Sequence, residues 1–141
     1  TIMSTEQNKI TARRYIEEVW SDGKIEVADA IINEDFLFQG PIREVEGIEA
    51  FKQFVTAIHS TFPDINFSVE DLAAEEEKVA IRWAMSGTHN SEFMGIAATG
   101  KRFTVKGVTF ARLFNEKMSE AWLYWDRLGM VEQLGVTLAQ Q

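Results

Sequence analysis

The 141-residue chain contains no cysteine. This absence excludes disulfide bonds, thiolate nucleophiles and cysteine-based metal sites. The chain has only two histidines, His59 and His89, which are far apart and lack the fixed spacing of metal ligands. We therefore predict no metal site. A cysteine-free chain also fits a reducing compartment, so we predict a cytoplasmic location.

Positive charge is scarce as well. The chain has 14 Lys and Arg against 22 Asp and Glu, which gives a net charge of −8. An acidic chain has no general attraction for phosphate backbones, and no basic cluster suggests an anionic membrane surface. No run of about 18 apolar residues is present, and the N-terminus lacks the apolar stretch of a signal peptide. We predict neither a nucleic-acid partner nor a membrane partner.

Aromatic rings, in contrast, are abundant. Ten Phe and four Trp dominate the aromatic content, while apolar residues make up 45% and charged residues 26% of the chain. These proportions are typical of a globular protein, and the length is that of one domain. We predict that residues 1–141 form a single domain with a large core or an apolar pocket.

The hydrophobic pattern changes halfway along the chain. The first half has helical spacing, and the second half alternates with a period of two residues. Gly107 interrupts the longest strand, which indicates a bend or bulge. The pattern predicts an α+β fold, with helices on one face of a curved antiparallel sheet. We predict helices over 8–20, 24–32, 47–61 and 127–134, and extended segments over 36–38, 65–71, 79–86, 103–114 and 118–126.

The segment EAWLYWD at residues 120–126 combines large rings with acids near the end of the last strand. On a regular strand, Glu120, Trp122, Tyr124 and Asp126 share one face, and Ala121, Leu123 and Trp125 share the other. If the first face lines a dry cavity, Asp126 is a poorly solvated carboxylate suited to general-base chemistry. The alternative is that Asp126 caps the closing helix.

Short motifs along nearly the whole chain resemble the SnoaL-like polyketide cyclase (ester cyclase) family, within the nuclear-transport-factor-2-like superfamily. Each motif is weak alone, but their order and spacing together are fairly specific for the family. They are YIEEVW (15–20), FPD (62–64), VAIRW (79–83), GTH (87–89), EFMG (92–95), TGK (99–101), EAW (120–122), WDRLG (125–129) and EQLG (132–135).

The resemblance implies a cone-shaped α+β fold with a deep apolar pocket between helices and sheet. It implies ring closure by intramolecular aldol condensation, without cofactor or metal, with a pocket aspartate that falls on Asp126 as general acid and base. Relatives in the superfamily include isomerases, hydrolases and binding proteins, so the fold alone does not fix the reaction. The chain departs from the pattern at Ala121, where many members carry His, and near Gln39, where relatives often carry His or Asp.

Three aromatic residues are candidates for contact with a flat ligand. Trp122 and Tyr124 are predicted to share the face of Asp126, and Trp83 lies on the neighbouring strand. Each of them has the alternative of being an ordinary core ring. Tyr15 lies on the apolar face of the first helix, where its hydroxyl can reach the pocket or only fill the core.

Two charged or titratable side chains complete the candidate substrate-binding set. Arg82 can hydrogen-bond a substrate carbonyl, although a salt bridge on a solvated sheet face is favoured for it. His89 stands at the end of a strand beside the loop 89–100, where it can bind a substrate oxygen or serve a structural purpose.

We therefore predict a cofactor-independent enzyme that acts on a polyketide-like carbonyl compound through Asp126, with a small apolar or polycyclic ligand as its partner. The alternatives are a non-catalytic binding protein for an apolar metabolite, and an isomerase or hydrolase that uses the same acid. The resemblance also implies self-association as a homodimer or homotetramer. The outer sheet face, rich in Ile81, Phe103, Val105 or their alternates, would form the contact.

Overall fold

The structure is a computed structural model that describes residues 4–41 and 43–136. The helical half begins at α1 (Thr5–Arg14), which continues directly into a π-helical segment (Tyr15–Ser21). Two further helices follow, α2 (Ile25–Ile31) and α3 (Ile48–Thr61), and α4 (Arg127–Gln133) closes the fold. Residues 1–3 and 137–141, which the predicted single domain includes, lie outside the described residues.

In the described part of the chain, six strands form one sheet in the order β2-β1-β6-β5-β4-β3. All neighbours are antiparallel except β1 and β6, which run parallel. The predicted α+β fold is therefore confirmed, with a mixed sheet. The strands are β1 (Ile32–Gln39), β2 (Glu44–Glu46), β3 (Asn66–Glu75), β4 (Lys78–Thr88), β5 (Arg102–Phe114) and β6 (Lys117–Trp125).

The helices cover one face of the sheet, and the alternation of the strands decides which side chains meet them. Along β5 every second residue is buried, from Phe103 to Leu113, while the intervening residues are exposed. Ile81, Phe103 and Val105, which we expected on the outer face unless their alternates occupied it, all point inward and are at most 2% exposed. Their strand neighbours Val108 and Phe110 face outward instead.

A register shift near the start of β6 changes the sequence spacing of its buried residues. Arg112 pairs with Glu120, but the next residue of β5, Leu113, pairs with Met118, so one extra residue of β6 is accommodated there. Met118 and Ala121 are consequently both buried although they are three residues apart. A β-bulge of this kind reverses the side-chain alternation of the strand beyond it.

Of the predicted bend or bulge at Gly107, the bulge is absent, because Gly107 pairs in register with Trp83 on one side and Trp125 on the other. Its role is to leave space. A Cβ atom at this position would lie 2.5 Å from Cζ2 of Trp83 and 2.8 Å from the carbonyl oxygen of Tyr124. The missing side chain therefore allows the indole of Trp83 to lie across β5.

The π-helical segment is tied to α3 by a histidine. Nε2 of His59 donates a hydrogen bond of 2.6 Å to the carbonyl oxygen of Trp20. The last turn of a helix leaves backbone carbonyls without partners inside the helix, and Trp20 lies in that turn. Single π-helical turns are frequent at functional sites. This contact fixes the two helical walls of the cavity described next.

Candidate functional site

A pocket of about 460 Å³ opens between the helices and the inner face of the sheet. This volume lies within the range that holds small organic ligands. Every layer of the fold contributes to its wall, which includes residues of the π-helical segment, α3, five strands, the loop between β1 and β2, and the loop between β4 and β5. The lining residues are Ile16, Trp20, Phe38, Gly40, Pro41, Arg43, Phe54, Ile58, Phe62, Phe67, Trp83, Met85, Phe93, Met94, Val105, Thr109, Leu123 and Trp125.

Aromatic rings form a continuous part of this wall. The Trp20 ring centroid lies 5.9 Å from that of Phe54 and 5.7 Å from that of Phe67, and Phe67 lies 5.3 Å from Trp83. These rings meet at steep angles, so several of them present faces or edges to the cavity.

Polar groups are rare in the lining. No carboxylate and no imidazole belongs to it, and its polar side chains are Arg43 and Thr109 among the described residues. Arg43 is exposed, and its guanidinium lies 5.4 Å from the ring centre of Phe54. Thr109 is only 3% exposed, and its Oγ1 accepts a hydrogen bond of 3.0 Å from Nε1 of Trp83. The pocket can therefore surround an apolar ligand and offer it two polar groups, the buried hydroxyl of Thr109 and the exposed guanidinium of Arg43.

One family model matches residues 10–134, and it describes the SnoaL-like polyketide cyclases. The chain belongs to this family. It is 28% identical over 127 residues to aklanonic acid methyl ester cyclase DnrD of Streptomyces peucetius, covering 86% of this chain and 87% of that protein. The corresponding cyclase DauD of Streptomyces sp. (strain C5) has the same identity over the same length, covering 86% of this chain and 78% of that protein.

Solved structures of the family agree with the fold. IdmH of Streptomyces antibioticus, a proposed polyketide cyclase, is 27% identical and superimposes with a TM-score of 0.80, covering 92% of this chain and 99% of that one. A SnoaL-like protein of Jannaschia sp. CCS1 is 24% identical with a TM-score of 0.85, covering 97% of this chain and 99% of that one, and it supports the fold alone.

Asp126 does not line the pocket. It is exposed, and its Oδ1 accepts a hydrogen bond of 2.8 Å from the backbone N–H of Gly129, which makes it the N-cap of α4. The prediction of a carboxylate withdrawn from water among rings is therefore wrong, and the alternative of a helix cap describes its placement. The two faces of β6 alternate as predicted, but Leu123 and Trp125 pair with the inward-facing Thr109 and Gly107 of β5. They therefore form the inner face in place of Trp122, Tyr124 and Asp126.

Trp122 and Tyr124 lie on the outer face, contrary to the prediction that they share a wall of the pocket. Tyr124 is 63% exposed. Trp122 is half-buried by its neighbour Phe110, at a centroid distance of 6.0 Å, and by the guanidinium of Arg112 at 6.0 Å. Both rings are separated from the cavity by the sheet itself.

Arg82 also lies on the outer face, as the favoured alternative predicted. Its guanidinium is 3.1 Å from Oε1 of Glu70 and 4.0 Å from Oδ2 of Asp71, and its side chain is 53% exposed. An ion pair this exposed contributes at most about 1 kcal/mol to stability. The placement gives Arg82 no access to a ligand in the pocket.

Trp83 is the predicted binding residue that the structure brings into the pocket wall. Tyr15 lies behind the wall rather than in it. It stacks on Phe51 at a centroid distance of 5.9 Å, is fully buried, and its hydroxyl has no hydrogen-bond partner among the described residues. Burial raises the pKa of the Tyr15 phenol, and the nearby Trp20 side chain offsets only part of this rise. Tyr15 therefore remains a neutral core residue.

His89 is buried beneath the loop between β4 and β5 and forms hydrogen bonds with the end of that loop. Its Nδ1 accepts a hydrogen bond of 3.2 Å from the backbone N–H of Thr99 and lies 2.9 Å from the Thr99 hydroxyl, while its carbonyl accepts from Gly100. The imidazole is fully buried and is not part of the pocket lining. Its contacts hold the base of the loop that carries Phe93 and Met94 into the pocket.

A second clamp secures the end of β4 next to this loop. The Asp64 carboxylate accepts hydrogen bonds from the hydroxyl of Thr88 at 2.6 Å and from its backbone N–H at 3.0 Å. These bonds, with the nearby guanidinium of Arg102, lower the pKa of Asp64. The clamp joins the turn after α3 to the sheet and keeps Phe62 in the pocket wall.

Sequence reasoning missed most of the wall, including Trp20, Phe54, Phe67, Leu123, Trp125 and Thr109. Thr109 carried a usable signal, because it shares the buried alternation of β5 with Phe103 and Val105 and is the one hydroxyl residue in that inner row. No group of three or more His, Asp or Glu within residues 4–41 and 43–136 is arranged to hold a metal ion. Within the same ranges, no helix is long and apolar enough to cross a membrane.

Proposed function

We propose that this SnoaL-like protein binds a small, flat, polycyclic compound of the polyketide type in its aromatic pocket. The observation that carries the proposal is the 460 Å³ cavity with a nearly continuous wall of apolar and aromatic side chains. Burial of a ring system against such a wall contributes roughly 25 cal/mol for each Å² of apolar surface removed from water. The relatives DnrD and DauD, which are cyclases of an aklanonic acid methyl ester, support this ligand class.

Calorimetric titration with 1,8-dihydroxyanthraquinone tests the proposal. We expect saturable 1:1 binding to the wild-type chain. Leu123 lines the pocket and its neighbour Tyr124 faces outward, so they form a matched pair. Leu123→Trp should fill the cavity and reduce the affinity at least tenfold, whereas Tyr124→Trp should leave it unchanged. Absence of saturable binding, or equal effects of the two substitutions, would contradict the proposal.

Cofactor-independent cyclisation is the second candidate function, and membership of the cyclase family favours it. The acid that was expected to carry it, Asp126, is directly preceded by the pocket residue Trp125 but is itself turned to solvent as a helix cap. The pocket lining supplies no alternative carboxylate or imidazole among the described residues. We therefore give ligand binding the first place, and we propose that Asp126 acts on the stability of α4 rather than as a base.

The substitution Asp126→Asn separates these roles, because asparagine is as good a helix cap as aspartate but cannot accept a proton. We expect its ligand affinity to equal that of the wild type, and its free energy of unfolding to change by less than about 0.5 kcal/mol. Asp126→Ala should instead lose about 1 kcal/mol, since it removes the cap. If a cyclisation activity is found and Asp126→Asn abolishes it with the affinity intact, the general-base role is restored.

We further propose that the outer sheet face binds a second copy of the chain. Val108, Phe110 and Tyr124 are 40%, 38% and 63% exposed there, and Trp122 lies beside Phe110. The charged residues Arg82, Arg112 and Glu70 occur on the same face, so it offers both apolar area and ion-pair partners. A self-complementary face of this kind favours a two-fold dimer.

Size-exclusion chromatography with light scattering at micromolar concentration checks the dimer. We expect the mass of two 16.0-kDa chains for the wild type and of one chain for Phe110→Glu. Ile10→Glu is the control, because Ile10 is 54% exposed on α1, away from the outer sheet face, and its substitution should leave the dimer intact. A wild-type monomer would contradict the proposal.

A further inference from the structure

Trp83 and Thr109 form a hydrogen-bonded polar pair in the pocket wall. Both side chains line the cavity, both are 3% exposed, and they are joined by the hydrogen bond between Nε1 of Trp83 and Oγ1 of Thr109. A buried polar pair inside an otherwise apolar wall needs an explanation, because burial of polar groups costs free energy unless their hydrogen bonds are made.

The direction of this hydrogen bond follows from the chemistry of the two groups. An indole N–H can only donate, so the threonine oxygen must accept. The hydroxyl proton of Thr109 is thereby turned away from the indole. No acceptor for this proton is found among the side-chain hydrogen bonds of the described residues. Thr109 thus retains one donor that is oriented by Trp83 and has no acceptor within the described part of the chain.

The surrounding structure makes the arrangement rigid. Thr109 lies opposite Ile81 in the middle of the β4–β5 pair, and Gly107 lies opposite Trp83 two residues away. The indole can cross β5 because Gly107 has no side chain. The hydroxyl is therefore held by two central strands and by a ring that has little freedom to move, which is the geometry of a preorganised donor.

We infer that the Thr109 hydroxyl is the polar anchor of the pocket, and that it donates a hydrogen bond to an acceptor oxygen, such as a ring ketone or quinone carbonyl, on the buried edge of the ligand. This inference rests on the proposed binding of a flat polycyclic compound and adds the group by which that compound is oriented. Trp83 is a positioning residue for the anchor. Ligands without an oxygen on the buried edge lose this hydrogen bond, so the pair selects between otherwise similar ring systems.

Two probes of the same shape test the anchor. Fluorene and 9-fluorenone share one flat three-ring framework, and only the ketone carries an acceptor oxygen. The substitution Thr109→Val keeps the shape and removes the hydroxyl. We expect it to weaken 9-fluorenone binding about three- to tenfold, the range of one neutral hydrogen bond, and to leave fluorene binding unchanged. Thr109→Ser retains a hydroxyl and should retain the preference.

A second measurement keeps the test decisive if Thr109→Val fails to fold. Hydrogen bonding lowers the infrared stretching frequency of the fluorenone carbonyl, so the wild-type complex should absorb below the frequency measured in hexane. An unshifted band, or equal weakening of both probes by Thr109→Val, would overturn the anchor. If neither probe binds the wild type, both the anchor and the binding function fail, whereas equal binding of both probes to wild type and variant overturns only the anchor.

Discussion

Gly107→Ala is expected to destabilise the protein more than any other single methyl group added to the inner face of the sheet. Its Cβ would lie 2.5 Å from Cζ2 and 2.6 Å from Cη2 of Trp83, and 2.8 Å from the carbonyl oxygen of Tyr124. Atoms cannot remain this close, so the indole and β6 must both move. Overpacking of a buried site costs about 1–3 kcal/mol, and we expect the upper end because one of the neighbours is backbone.

Urea unfolding measures this effect, and Gly87→Ala is the matched control. Gly87 lies on the same face of the adjacent strand, but its new Cβ would be 3.2 Å from the edge of the Phe103 ring, which can shift. We expect a loss below about 1 kcal/mol there. The double variant Gly107→Ala with Trp83→Phe should recover part of the lost stability, since phenylalanine lacks the two indole atoms that would clash. Equal stability of the two alanine variants would refute the explanation.

Trp20→Ala should have the second large effect, on stability and on ligand affinity together. The Trp20 ring packs against Phe38, Phe51, Phe54 and Phe67 at centroid distances between 5.6 and 6.1 Å, and it forms part of the pocket wall. Its removal opens the core and the pocket into one larger space. Truncations of this kind cost about 3–5 kcal/mol.

Trp122→Ala provides the comparison, because it removes the same ring from the outer side of the sheet. Among the described residues, Phe110 is the one close aromatic neighbour of Trp122, and Trp122 is not part of the pocket lining. We expect a loss of about 1 kcal/mol in free energy of unfolding, measured in urea, and an unchanged affinity for 1,8-dihydroxyanthraquinone. A larger effect at Trp122 than at Trp20 would contradict the inward and outward directions assigned to these strands.

Much of the fold could be predicted because it depends on period and spacing. The change from helical to alternating pattern identified the α+β class, and the motifs from residue 15 to residue 135 identified the family. Local details that depend on tertiary contacts differ from the predicted elements. The first helix becomes π-helical after Arg14, and the strand expected to end at Asp71 continues to Glu75. The added residues 72–75 of β3 pair with residues 78–81 of β4, so hydrogen bonds between the two strands carry β3 past Asp71.

The site could be predicted less well, because alternation does not say which face of β6 is the inner one. Period two correctly separates Trp122 and Tyr124 from Leu123 and Trp125, but both faces carry large apolar side chains. The pairing of Leu123 with Thr109, an inward-facing residue of β5, decides between them, and the local sequence does not show this pairing. β4 and β5 pair without a register shift at Trp83 and Thr109, and period-two alternation places both side chains on the inner face.

The strict alternation of β6 beyond its bulge also bears on how this architecture can diversify. One side of this stretch presents Leu123 and Trp125 to a cavity, while the other side presents Trp122 and Tyr124 to the outer surface. Removal of Trp122 would shift every later residue of the strand by one position, so that Tyr124 would face the cavity and Leu123 and Trp125 would face outward. A single-codon deletion could thus convert a partner-facing surface into a ligand-facing one, so the chemistry of the cavity can change abruptly while every side chain beyond the deletion stays the same.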